Sequence, residues 1–266
     1  MHKHILFLIL LCSSAGLFSQ GTMLKHFEAP AFLSEKETWA DTLMEKMSLD
    51  EQIGQLFMVA AYSNRGAAHE AELKALIQEQ HIGGLIFFQG GPQRQAALSN
   101  RLQSYSKIPL MIGMDAEWGL AMRLDSTVHY PYQMTLGAIR NDTIIYEMGR
   151  DIGRQFQRLG MHVSFSPVVD VNNNAKNPVI NYRSFGEDRL NVSRKGVAYM
   201  RGLQSRNVLA NAKHFPGHGD TDSDSHLALP LIPHDRARLD SIEIFPFRQL
   251  INRGLGSVMV AHLYIP

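Results

Sequence analysis

The sequence predicts an α/β fold, with parallel strands inside, helices outside and a polar mouth at the strand ends. Three observations carry this. Short apolar runs alternate with amphipathic segments along most of the chain, polar residues gather directly after several of those runs, and no dinucleotide fingerprint or Walker loop follows the first. A parallel sheet either stays open or closes into a barrel, and open sheets usually cradle phosphate in a glycine loop after the first strand. Here that position reads Ala61-Tyr62-Ser63-Asn64-Arg65-Gly66. The polar residues sit instead at the ends of several strands, which favours a barrel.

Taken in order, strands are expected at 55–60, 84–88, 109–114, 162–171, 209–214 and 257–262. Helices are expected between them, at 70–80, 93–104, 142–159, 190–205 and 239–253. The clearest is 142–159, where Ile145, Met148, Ile152, Phe156 and Leu159 recur at three- and four-residue steps, the period of one helical face. Ser48 and Glu51 have the spacing of a capping box ahead of the first strand region.

Composition narrows the class. A chain of 266 residues, 45% apolar and 19% charged, can bury one large α/β domain. A formal charge of +1, with no basic run interleaved with aromatics, gives no support to nucleic acid or an anionic membrane surface as partner. No stretch after the N-terminus is apolar enough for a stable membrane span. The N-terminus itself has a short basic start, Met1-His2-Lys3-His4, then an apolar run from Ile5 to Phe18 that ends in small residues. That pattern reads as a signal peptide over residues 1–20, cleaved after Ala15 or near Gln20, with the protein exported to the periplasm or outside the cell. Cys12 follows Leu11, where a lipoprotein site usually has a small residue, so it reads as part of the leader. The mature chain then has no cysteine, hence neither a disulfide framework nor a thiol nucleophile. No Gly-x-Ser-x-Gly elbow supports serine hydrolysis.

Three strand ends carry chemistry. The first is Asp115-Ala116-Glu117-Trp118-Gly119, an acidic pair beside an aromatic, suited to sugar hydroxyls and a sugar face; equally, Asp115 could cap a helix with Glu117 in its first turn. The second runs from Asp170, which ends an apolar strand, to Arg183 in the loop Asn181-Tyr182-Arg183-Ser184-Phe185-Gly186-Glu187-Asp188. Arg183 offers a rigid fork of donors for hydroxyls or carboxylates, or it pairs with Glu187 or Asp188 and pins the loop. The third is the loop from Lys213 to His226. In an extended segment, residues two apart face the same side, so Asp224 can orient and charge-stabilise the His226 imidazole as a general acid/base. Lys213 and His214 are placed to donate hydrogen bonds to substrate. A rival reading makes His214, His218, His226 and the aspartates a zinc or calcium site, since Asp220-x-Asp222-x-Asp224 mimics an EF-hand start. Ser225 stands where that loop needs Gly, however, and Leu231 where it needs a bidentate Glu. No metal and no cofactor is expected.

Together these motifs resemble glycoside hydrolase family 3, in its bacterial β-N-acetylglucosaminidase (NagZ-type) branch. The likeness begins at Met47-Ser48-Leu49-Asp50-Glu51-Gln52-Ile53-Gly54-Gln55-Leu56 and runs to the C-terminus. Its most specific part is Lys213-His214-Phe215-Pro216-Gly217-His218-Gly219 with Asp224-Ser225-His226. The resemblance implies a TIM-like (β/α)8 barrel over residues 21–266. It implies retaining hydrolysis of terminal β-linked N-acetylglucosamine from peptidoglycan fragments or chitin-like oligosaccharides. His226 would be the acid/base and Asp224 its partner, while Asp115, Arg183, Lys213 and His214 would hold the terminal sugar. This departs from the usual scheme of two flanking carboxylates. Alternatives are a β-glycosidase of other sugar preference and a non-catalytic sugar-binding remnant. The family's nucleophile is an aspartate after a seventh strand, whereas the sequence ends at Ala261-His262-Leu263-Tyr264-Ile265-Pro266, read as the sixth strand and its loop. The expectation is an incomplete barrel of about six of eight β/α units, truncated at its C-terminus and lacking the nucleophile. Purified mature chain should then hydrolyse a chromogenic β-N-acetylglucosaminide far more slowly than a complete family member; comparable turnover would contradict this.

Overall fold

A computed structural model describes residues 38–223 and 229–266. The expected signal peptide over residues 1–20 and both members of the Asp224/His226 pair lie outside the described residues.

The elements run α1 (Thr38–Met44), α2 (Leu49–Gly54), β1 (Met58–Tyr62), α3 (Ala67–Glu79), β2 (Gly84–Gln89), α4 (Pro92–Tyr105) and β3 (Met111–Met114). They continue with α5 (Gln133–Gly137), α6 (Asp142–Arg158), β4 (Val163–Ser164), α7 (Arg189–Gln204), β5 (Leu209–Phe215), α8 (Arg236–Ser241), α9 (Phe245–Ile251) and β6 (Ser257–Val260). The strands form one sheet in the order β1-β2-β3-β4-β5-β6, every pair parallel. Sequential parallel strands with a helix in most crossovers make six β/α units of a TIM-like (β/α)8 barrel. Among the described residues no helix is long and apolar enough to cross a membrane.

Differences from the sequence reading have local causes. The 55–60 strand starts at Met58, because Ser48 and Glu51 do form a reciprocal capping box and the helix it starts runs on to Gly54. The 162–171 strand shortens to Val163–Ser164 because Pro167 has no N–H to give the ladder. Beyond it only scattered bonds persist, such as Val169 N to Lys213 O at 2.9 Å. The 239–253 helix is two helices, α8 and α9, the second starting with Pro246 in its first turn. The short helices α1 and α5 carried no clear period in the sequence.

The core lies between the sheet and α6 and α7. Ile145, Ile152 and Phe156 of α6 and Tyr199, Met200 and Leu203 of α7 are fully buried with Leu85, Phe87, Ile112, Met114, Ala210 and Ala212 of the sheet. Burying such side chains contributes about 1.5–3 kcal/mol each before entropy is counted. The two helices meet through glycines. A Cβ on Gly202 would sit 2.6 Å from the Arg150 nitrogen, and one on Gly149 2.5 Å from the Tyr199 carbonyl oxygen. Alanine is the better helix former by about 1 kcal/mol, yet here the backbone would have to move. Gly202→Ala is therefore expected to destabilise the chain by about 1–3 kcal/mol in urea denaturation; a stabilised variant would show that the helices tolerate wider separation.

Candidate active site

The C-terminal ends of β3, β4 and β5 converge on one ionic network. Asp115 and Glu117 follow β3 and Lys213 lies in β5. The Lys213 ammonium bridges both acids, at 2.7 Å to Asp115 Oδ1 and 2.8 Å to Glu117 Oε1. Arg183, from the loop after β4, grips Glu117 with both arms of its fork, Nε to Oε2 at 2.9 Å and Nη2 to Oε1 at 2.7 Å. Arg123 closes the other side, 2.5 Å from Asp115 Oδ2. Neither bland alternative from the sequence holds. Asp115 caps no helix, since only a short 3₁₀ turn at Leu120–Met122 follows and Gly119 stands at its start. Arg183 reaches across the sheet to Glu117, 66 positions away in sequence, rather than to Glu187 or Asp188.

Asp170, fully buried after β4, organises the second half. It accepts the His214 ring Nδ1–H at 2.7 Å, the His214 backbone N–H at 3.1 Å and the His218 backbone N–H at 2.7 Å. His214 can spare its backbone donor because the β5–β6 register slips between Lys213 and Phe215. Such a bulge re-aims a side chain at a strand end. With Nδ1 donating to a carboxylate, the neutral imidazole presents a lone pair at Nε2, which lies 3.4 Å from Arg183 Nη2.

Electrostatics follow from these contacts. Burial alone would raise the Glu117 carboxyl, but the Lys213 charge and the Arg183 fork outweigh it and hold the pKa at about 2. Asp115 is likewise lowered, burial being overcome by Lys213 and then Arg123. Asp170 is lowered against full burial by His214 and the two backbone donors. His218 is pushed down by burial. Its Nδ1 meets Thr221 Oγ1 at 2.6 Å and its backbone carbonyl accepts from Asn177 Nδ2 at 2.7 Å, so it braces the loop.

Exposure separates two layers. Glu117 and Asp170 have 0% side-chain exposure, whereas Asp115 keeps 13% and Arg183 and His214 keep 17%. The sequence-predicted residues Asp115, Arg183, Lys213 and His214 are thus brought together, three of them keeping some exposure to solvent. Sequence reasoning missed the supporting roles of Glu117, Asp170 and Arg123. The signal available was Glu117 two positions after Asp115, and Asp170 at a strand end.

The rival metal reading finds different residues. His214 Nδ1 and His218 Nδ1 are committed to Asp170 and Thr221. Asp220, His234 and Glu243 bring possible ligand atoms within 4.8 Å of one another. Arg238, however, already places its guanidinium 3.3 Å from Asp220 and 3.2 Å from Glu243, supplying the cation that cluster needs.

A parallel sheet with a polar network confined to its C-terminal rim has the layout of a TIM-type barrel with its site on that face. Residues 48–266 match the glycosyl hydrolase family 3 N-terminal domain, and the chain belongs to that family. It is 38% identical over 209 residues to β-hexosaminidase A of Pseudoalteromonas piscicida, covering 73% of this chain and 35% of that protein. It is 32% identical over 227 residues to the β-hexosaminidase LpqI of Mycobacterium tuberculosis, covering 83% and 56%. Among solved structures, a family 3 β-N-acetylglucosaminidase from Paenibacillus superposes with a TM-score of 0.76 at 40% identity, covering 83% of this chain and 43% of that one. The chain thus spans about a third to a little over half of the curated relatives it matches.

The network makes a pH prediction. Glu117 has its carboxyl lowered from 4.5 to about 2, so its contribution to stability is full above 4.5 and is lost as pH falls towards 2. Denaturation midpoints of the wild type should drop through that window. Glu117→Gln should start lower at neutral pH, by about 3–5 kcal/mol, and fall less steeply; parallel pH profiles for the two proteins would refute the assignment.

Proposed function

We propose that this rim receives the terminal β-linked N-acetylglucosamine of a glycan, as the sugar-holding part of a retaining β-N-acetylhexosaminidase. The observation that carries it is the division of labour at the rim. Asp115, Arg183 and His214 are partly exposed, and Asp115 and Arg183 hold unused hydrogen-bonding capacity, while Glu117 and Asp170 beneath them are fully buried and consumed in orienting them. Lys213 spends two of its three donors on carboxylates and keeps one. Each Asp115 oxygen has one partner and can accept again from a sugar hydroxyl. The names of the relatives, β-hexosaminidases and a β-N-acetylglucosaminidase, point the same way.

In this reading the rim fixes the sugar by charge-assisted hydrogen bonds set in place before the ligand arrives, so little reorganisation accompanies binding. The Asp-x-His motif supports His226, with Asp224 as its partner, as the group that would protonate the leaving oxygen and later take a proton from water. The attacking carboxylate belongs, by resemblance, to a position after a seventh strand. A leader over residues 1–20 would place the substrate outside the cytoplasm, where peptidoglycan fragments or chitin-like oligosaccharides are met.

Calorimetric titration of the purified chain tests the sugar assignment. N-acetylglucosamine should bind at least about tenfold more tightly than glucose, and Asp115→Ala should lose a further factor of about ten or more. Equal affinity for the two sugars, or an Asp115→Ala chain binding as well as wild type, would sink it.

A further inference from the structure

Beside the polar rim lies a group of rings that the reading above leaves unused. Trp118 directly follows Glu117, and Tyr182 directly precedes Arg183, so both rings are carried by the backbone segments that supply the Glu117–Arg183 ion pair. Tyr132 joins them, its ring centroid 4.6 Å from Tyr182 at a 54° tilt and 4.9 Å from Trp118 nearly edge-on. His129 stands 5.4 Å from Tyr132. The group is held from below. The Tyr130 backbone N–H donates to the Trp118 carbonyl at 3.1 Å, and the Tyr130 hydroxyl donates to Asp151. Gly119, at φ 84°, has no Cβ because one would meet the Tyr130 ring at 2.6 Å.

A merely structural cluster would hide its rings, yet Tyr182 is 48% exposed and Tyr132 38%. Rings fixed by neighbours and left facing solvent make a binding surface that needs little ordering. A pyranose offers aliphatic C–H groups on its faces and hydroxyls at its edge, the complement of an aromatic ring fringed by polar groups. The pocket at Asp115, Lys213, Arg183 and His214 is already assigned to the terminal sugar, so the adjoining ring position belongs to its neighbour. We propose that Tyr182 and Tyr132, backed by Trp118 and His129, form a platform for the second pyranose of a bound glycan. The chain thereby favours oligosaccharides over monosaccharides. This inference rests on the sugar-pocket reading.

The test compares N-acetylglucosamine with its β-1,4-linked trimer by calorimetry on the purified chain. The wild type should bind the trimer roughly five- to tenfold more tightly. Tyr182→Ala should bring the ratio of the two Kd values towards one, while Tyr182→Phe, which keeps the ring, should preserve it. A second readout needs no change in the platform. The chain has two tryptophans, so Trp39→Phe leaves Trp118 as the sole tryptophan, read with excitation at the red edge where tyrosine does not absorb. Its emission should shift more with trimer than with monosaccharide. A wild-type ratio near one, a ratio unchanged in Tyr182→Ala, or equal emission shifts would overturn the platform alone. Binding of neither sugar by the wild type would overturn the pocket reading, and the platform with it.

Discussion

Glu117 is a carboxylate without exposed surface, and the arrangement of the site follows from what it takes to keep such a group charged. One buried charge costs several kcal/mol unless partners are supplied. The partners come from two other strand ends: Lys213 from β5 and Arg183 from the loop after β4. Because a bidentate guanidinium–carboxylate pair tolerates little displacement, it fixes the long loop that carries Arg183 against β3. The same ammonium that satisfies Glu117 also meets Asp115, so the rim residue is positioned by the demand of the buried one. Burying a pair is weak evidence for stability, since apolar replacements are often as good. Its use here is geometric.

Asp170 plays the corresponding part between β4 and β5, with a difference. Its partners are mostly N–H groups, two from backbone, so it organises the chain path of the Lys213–His218 segment as well as one ring. The irregular register of β5 against β6 frees the donor that makes this possible. A regular ladder would take up the His214 backbone N–H and leave Asp170 short of a partner.

Much of this was legible in the sequence. Six apolar runs with intervening helical periods pointed to the sheet and its parallel order, and Ile145, Met148, Ile152 and Phe156 of the expected face are buried in α6, while Leu159 caps its end half-buried. Asp115, Arg183, Lys213 and His214 were singled out by residue type and strand-end position, and they meet. What escaped depends on distance in sequence. Glu117 and Arg183 are 66 positions apart, and nothing local marks one as the other's partner. The fate of Pro167 was misjudged because Val163 and Phe165 before it and Val168, Val169 and Val171 after it imitate an unbroken strand. The split between α8 and α9 was hidden by a helical period that continues across it, although Pro246 was a visible warning.

The rim has one consequence at the scale of the medium. Around the pocket, Asp115, Glu117 and Asp170 are matched by Lys213, Arg183 and Arg123, so the carboxylates and cations cancel in number within a few ångströms. A network balanced in this way adds little to any long-range field, and counter-ions gain little by gathering on it. An uncharged ligand would be neither drawn in from afar nor displaced by dissolved salts. Encounter would run at the unassisted diffusional pace, and selectivity would arise only at contact, in brackish and dilute surroundings alike.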